Sequence, residues 1–231
     1  MIVLERLQYP LRKRLWDLRD AGAQPPTNDI LRWALQISQA LQRVHSRHVF
    51  QVDIGAHNIL LDWNEDVKLS DFAGSSIDGS EPLIFPSSHS THPDKSPKDP
   101  CIETEIFALG STLYEIETTQ KPHHDKDRID IKDLLRAGEF PDASTLMLGE
   151  AILKCWRFEY QDCGEVVRDI MRIQHGHVNK MGRELEAAVP METWRNSRAL
   201  IPISLGLALV AATMTMYLRH TTLGLHRWGG Y

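Results

Sequence analysis

Three oxygen-bearing side chains stand close together near the start of the sequence. Asp53 and Asn58 lie five residues apart in the run Val-Phe-Gln-Val-Asp-Ile-Gly-Ala-His-Asn-Ile-Leu-Leu that spans 49–61, and Asp71 follows in Asp71-Phe72-Ala73-Gly74. A carboxylate at position 53 can orient an attacking hydroxyl and take its proton. The carboxamide oxygen of Asn58 and the carboxylate of Asp71 are hard donors suited to Mg²⁺, which binds through one or two carboxylates plus phosphate oxygens. These residue types therefore suit phosphoryl transfer from a magnesium-bound nucleotide. Asp and Asn also hydrogen-bond the backbone of tight loops, and an isolated pair is usually explained that way. Here the strand-like runs at 59–61 and 67–70, turning at Trp63-Asn64-Glu65-Asp66, frame both acids with a hairpin.

Helices must hold that hairpin. Residues 27–45 give the clearest one: Thr27 or Asn28 can cap it, and Ile30, Trp33, Ala34, Ile37, Leu41 and Val44 recur on one face at three- and four-residue steps. Glu105 to Thr118 is apolar on most sides, as a buried helix is. Ile129–Ala137, stopped by Gly138, makes a short amphipathic helix, and Leu148–Trp156 and Val166–Ile173 make two more. Residues 75–103, rich in Ser, Pro, Asp and Lys, predict a loop, with Ser96-Pro97 as a position for phosphorylation.

The order of these pieces resembles the protein kinases, whose catalytic loop reads H-R-D-L-x-x-x-N and whose metal loop reads D-F-G. The resemblance runs from the first residues to about Arg172. Val3-Leu-Glu-Arg-Leu7 looks like the last small-lobe strand and the hinge, Glu105-Ile-Phe-Ala-Leu-Gly110 like the start of the buried central helix, and Cys155-Trp156 like the Cys-Trp near the domain's end. The resemblance implies a mainly α fold with a small β-hairpin: a kinase-like C-terminal (large) lobe with the N-terminal lobe mostly absent. It implies ATP and Mg²⁺ as cofactors, Asp53 as catalytic base, Asn58 and Asp71 as metal ligands, and Glu5 and Leu7 beside the nucleotide. The expected division is 1–8 end of the small lobe and hinge, 9–175 large lobe, 176–199 linker, 200–218 hydrophobic helix and 219–231 tail.

Departures from the pattern are as informative. Gln51-Val52 stands where His-Arg is usual, Gly55 where many Ser/Thr kinases place a Lys, and Ala73 where D-F-G has Gly. His92-Pro93-Asp94 is the candidate for A-P-E, and Cys163 takes the place of an Arg that pairs with the Glu of that element in the family. Joint alteration of the two leaves no buried charge unpaired. Glu105 replaces an Asp and is expected to bond the catalytic-loop backbone with altered geometry. No G-x-G-x-x-G or V-A-I-K-type Lys is present to cover and hold the nucleotide phosphates. The expected activity is transfer of phosphate to a protein hydroxyl once a small lobe is supplied. The alternatives are an inactive pseudokinase scaffold tethered to a membrane, and a truncated kinase fragment.

The chain of 231 residues is 42% hydrophobic, enough for one domain with its own core, and its formal net charge of -5 argues against a nucleic-acid partner. Its 3 cysteines lack zinc spacing and read as reduced thiols of a cytosolic domain. Charges at Glu5 and Arg6 interrupt any apolar leader, so the chain is not expected to be secreted. Leu200 to Leu218 carries no charge; at 1.5 Å per residue it covers about 28 Å, close to the ~30 Å of a bilayer core, and predicts a C-terminal membrane anchor.

Overall fold

Residues 4–188 are described by a computed structural model. The elements are α1 (Leu11–Asp20), α2 (Thr27–His45), β1 (Val49–Phe50), β2 (Ile59–Leu61), β3 (Val67–Leu69), β4 (Ser76–Ile77), α3 (Ile102–Thr118), α4 (Arg128–Arg136), α5 (Gly149–Trp156) and α6 (Cys163–Ala188). Residues up to Lys180 form one compact unit; from Met181 the chain belongs to a second, whose described part is the end of α6.

The period read in α2 becomes its buried face: Ile30, Trp33, Ala34, Ile37 and Leu41 are all inside, and Val44 packs against them from a partly buried position. The expected cap at Thr27 or Asn28 is not used. Thr27 is already helical, and the residue before it, extended Pro26, offers its carbonyl to the N–H groups of Asp29 and Ile30. Trp33 Nε1 donates to Glu65 O at 2.8 Å, which ties α2 to the hairpin turn.

That hairpin pairs Ile59 with Leu69, Leu60 with Lys68 and Leu61 with Val67. Its turn is held by Asp62, whose side chain accepts from the N–H groups of Asn64 and Asp66. A second antiparallel pair joins β1 to β4, with Val49 opposite Ile77. The segment at 4–9 is irregular rather than the expected strand. Among the described residues its ladder-like partner is β2: Gln8 N–H donates to Leu61 O at 2.9 Å and Leu61 N–H to Tyr9 O at 3.0 Å.

α3 is the buried axis, with every residue from Glu105 to Leu113 inside. α5 packs tightly against it at Gly110, where a Cβ would fall 2.6 Å from Cys155 Cβ. Around this contact the rings of Phe107, Phe140, Trp156, Phe158 and His92 pack together, with 4.4 Å between the His92 and Phe158 centroids. α4 begins at Asp127, whose side chain accepts from Ile129 N and Asp130 N, and ends before Gly138 at φ 70°. α6 continues past the expected end at Ile173 and through the start of the expected linker. Among the described residues no helix is long and apolar enough to cross a membrane, and the anchor expected at 200–218 lies outside them.

Gly110→Ala is expected to lower the unfolding free energy by about 1–3 kcal/mol, the usual cost of overfilling a packed core. Urea denaturation reads this directly, and an unchanged midpoint would mean that α3 and α5 are not so close.

Candidate active site

The loop at 51–58 connects β1 to β2, so the hairpin carries the chain out from Asn58 and returns it at Ser70. The two ends are stitched together. Ser70 N–H and Ser70 Oγ both donate to Asn58 O at 2.8 Å. Buried Gln51 donates through Nε2 to Ser70 O at 3.2 Å and to Asp71 O at 3.0 Å. A Gln thus bridges the Asp53 loop to the Asp71 loop where the resembling sequences have His. Asn58 Nδ2 donates to Asp53 O at 3.0 Å and contacts Asp53 Oδ2 at 3.3 Å. The loop-bracing role of an Asp–Asn pair is therefore present. It consumes only the amide nitrogen, and Asn58 Oδ1 has no hydrogen-bond partner among the described residues.

Glu105 holds this loop from below. Its side chain is about 2% exposed. Oε1 accepts from Val52 N–H at 2.6 Å, and Oε2 lies 2.6 Å from His45 Nε2. His45 Nδ1 in turn lies 3.6 Å from Cys163 Sγ. Val52, a β-branched residue, is held at φ 78°, a strained conformation that its pinned N–H helps to maintain. Cys163 thus faces His45, while Asp94 is exposed and buried His92 bonds Glu103 at 3.0 Å. The two positions expected to have changed jointly have separate neighbours. Burial pushes the thiols of Cys155 and Cys163 up, well clear of the ordinary range.

Asp53 is partly buried and well supplied with donors. Oδ2 lies 2.8 Å from His57 Nε2, and Oδ1 accepts from Ser87 N–H at 3.2 Å. Burial alone would raise its pKa, but the bond and charge of His57, with the Ser87 and Asn58 bonds, outweigh that and hold the carboxyl below its ordinary 3.8. His57 also explains Gly55: a Cβ there would lie 2.7 Å from the imidazole ring. The ring occupies the space beside the position where many kinases carry a Lys.

Two contributors were invisible in the sequence. Arg12 and Glu115, separated by 103 residues, form a bidentate pair at 2.7 and 2.8 Å, and Arg12 N–H donates to Ala56 O. α1 thereby braces the loop against α3. Lys121 is electrostatically linked to the same group: burial and the charge of Arg12 lower its pKa, while Glu115 and Asp53 oppose the shift. Asp71 is exposed at φ 54°, and its carboxylate has no hydrogen-bond or ion-pair partner among the described residues. Glu5 is exposed and Leu7 half-buried, and no hydrogen bond joins either side chain to Asp53, Asn58 or Asp71.

Residues 2–145 match the family model described as the protein kinase domain. The chain belongs to the protein kinase domain family. A probable serine/threonine-protein kinase of Clostridium acetobutylicum is 25% identical over 75% of this chain and 29% of its own length. The epidermal growth factor receptor of Drosophila melanogaster is 26% identical over 56% of the chain and 10% of its own. The mouse serine/threonine-protein kinase Nek3 is 32% identical over 42% of the chain and 20% of its own. The chain spans less than a third of the length of each of these relatives. The mostly helical architecture with two small sheets fits the large lobe of a kinase domain, and members of this family use ATP and Mg²⁺.

Glu105→Ala would orphan a buried N–H and the partner of His45, and is expected to cost about 3 kcal/mol from two charge-assisted bonds; chemical denaturation measures it. The depressed Asp53 carboxyl contributes stability that is complete above pH 3.8 and is lost as pH falls through its folded value. Asp53→Asn should therefore flatten the fall in urea midpoint below about pH 4. Asp169, also depressed despite its burial because Lys154 and Tyr160 bond it, retains part of the slope.

Proposed function

We propose that this lobe binds Mg-ATP on the surface formed by Asn58 and Asp71 and presents Asp53 to a protein hydroxyl that receives the γ-phosphoryl group. One observation carries the reading. Gln51 and Ser70 stitch the Asp53 loop to the Asp71 loop, while Asn58 Oδ1 and the Asp71 carboxylate are left without partners among the described residues. One neutral and one charged oxygen make a donor set that fits Mg²⁺ carried by a nucleotide. When bound, the ion would offset charge on the phosphate oxygens.

The remaining work falls to side chains. Asp53 is ionised at neutral pH and can accept the hydroxyl proton at Oδ1 or Oδ2. His57 and Asn58 fix its rotamer. Glu105 fixes the loop, and Arg12 supports it at Ala56. Glu5 and Leu7 belong to the segment assigned to the nucleotide's base, and residues 9–175 to the lobe itself. The phosphates also need covering groups, a Gly-rich loop and a Lys in this family. In this proposal a small lobe outside the present sequence supplies them.

A second reading, a binding module without turnover, draws support from Asp53 itself, because both of its oxygens are engaged within the chain, by His57 and by Ser87. In that reading the uncharged stretch at Leu200–Leu218 tethers the module to a membrane.

Calorimetric titration with ATP, with and without Mg²⁺, separates the two. Asp71→Asn is expected to abolish magnesium-dependent binding, and Asp53→Asn to preserve it. With a small lobe supplied in trans, Asp53→Asn should lower phosphate transfer to a protein acceptor by about 10²-fold or more. Absence of any magnesium-dependent binding by the unsubstituted chain would favour the binding module.

A further inference from the structure

α4 sorts its charges by side. At 100° per residue, Arg128, Lys132 and Arg136 fall within a sector of about 80°, bordered on one side by the buried Ile131 and Leu135, while Asp133 and Asp130 lie about 60° and 120° beyond its other edge. All three cations are exposed, and among the described residues none of their side chains is hydrogen-bonded or ion-paired. In a chain with formal charge -5, a row of unpaired positive charge is a local reversal of sign.

The row lines a cleft of about 450 Å³ whose opposite wall is the segment from Pro86 to Pro97. Asp94 is the one acid in that lining. A second cleft of about 570 Å³ meets the first at Pro93, Asp94, Leu135 and Arg136, and continues over Phe140, Leu153 and Trp156. A cationic trough therefore opens at Arg136 into an aromatic-walled hollow. Neither cleft is lined by Asp53, Asn58 or Asp71.

We infer that this trough is a docking groove for an extended acidic segment of a partner protein, carrying acids at alternate positions followed by an aromatic residue. The repeat lengths match. Cations four residues apart on a helix are about 6 Å apart along its axis, and side chains on one face of an extended peptide recur about every 6.8 Å. Three alternate acids span about 14 Å, against about 12 Å from Arg128 to Arg136. The next residue on the same face reaches the hollow beyond Arg136, where the partly buried Phe140 and Phe158 offer ring surface for a planar side chain. The inference goes beyond phosphoryl transfer and does not require it, because binding here uses none of the residues assigned to ATP.

The test uses the full chain without nucleotide and a fluorescein-labelled peptide, Glu-Ser-Glu-Ser-Glu-Ser-Phe, read by anisotropy. Expected are saturable binding that weakens with added salt, and a loss of about tenfold when Arg128, Lys132 and Arg136 are all changed to Gln, since each exposed charge contact is worth a factor of a few. Lys132→Glu alone, an exposed mid-helix change that leaves the cap and the buried face of α4 intact, should weaken binding in the same direction. The peptide with Gln for every Glu should bind at least about tenfold more weakly, and replacing its Phe by Gly should weaken it further. Equal binding by the Gln peptide or by the substituted chains, complete displacement by millimolar inorganic phosphate, or no binding to the unsubstituted chain would each overturn the inference. Because ATP is absent throughout, none of these outcomes depends on whether the lobe transfers phosphate.

Discussion

One buried carboxylate organises this lobe. Glu105 projects from the most enclosed helix and meets both the N–H of Val52 and the imidazole of His45. An ionised group taken out of water is costly unless all its neighbours are arranged to meet it. The cost becomes a constraint: α2, α3 and the loop that carries Asp53 can take only positions in which both oxygens are satisfied. The longer arm of Glu relative to Asp is accommodated at 2.6 Å on either side. The loop is then clamped from above by Gln51 and Ser70 and from the side by Arg12, so the geometry of Asp53 follows from bonds made by residues that perform no chemistry themselves.

Two of the departures from the family pattern are met within the same loop. Where the usual His-Arg is replaced by Gln51-Val52, the amide of Gln51 still spans to Ser70 and Asp71. Where a Lys is missing at Gly55, His57 lies over the vacant backbone and reaches Asp53. Each change removes one means of positioning, and each is met by a neighbouring side chain rather than by collapse of the loop. A phosphoryl-transfer site works mainly by position and charge, so the bonds that hold this loop bear directly on the transfer proposed for it.

What the sequence revealed follows from the range over which its signals act. The face of α2, the β2–β3 hairpin and the burial of α3 all arise from local periodicity or turn chemistry, and the observed elements follow those readings closely. α1 escaped notice because only Leu11 and Leu15 of its ten residues are buried, too few to set a period against its Arg, Lys and Asp. The β1–β4 pair has two residues on each strand, below the length at which alternation is visible. The start of α2 differs from the sequence pattern because Thr27 and Asn28 look like caps, whereas the chain turns at Pro26, before both. Of the site, the loop residues were legible as a motif. The Arg12–Glu115 brace was not, since no local pattern links two charges so far apart in the chain. The Gln51 bridge is hidden for the opposite reason: against the motif this position reads as the loss of His, and the reach of its amide to Asp71 O depends on the fold.

The burial of two thiols has a practical chemical consequence. Only a thiolate attacks an electrophile at an appreciable rate, and Cys155 and Cys163 are both enclosed and pushed far from ionisation at neutral pH. Cys101, partly open to solvent at the start of α3, stands apart from them. A maleimide probe added to the folded chain would therefore attach at the base of the central helix, giving a reporter located where the loop from 78 to 100 joins the core.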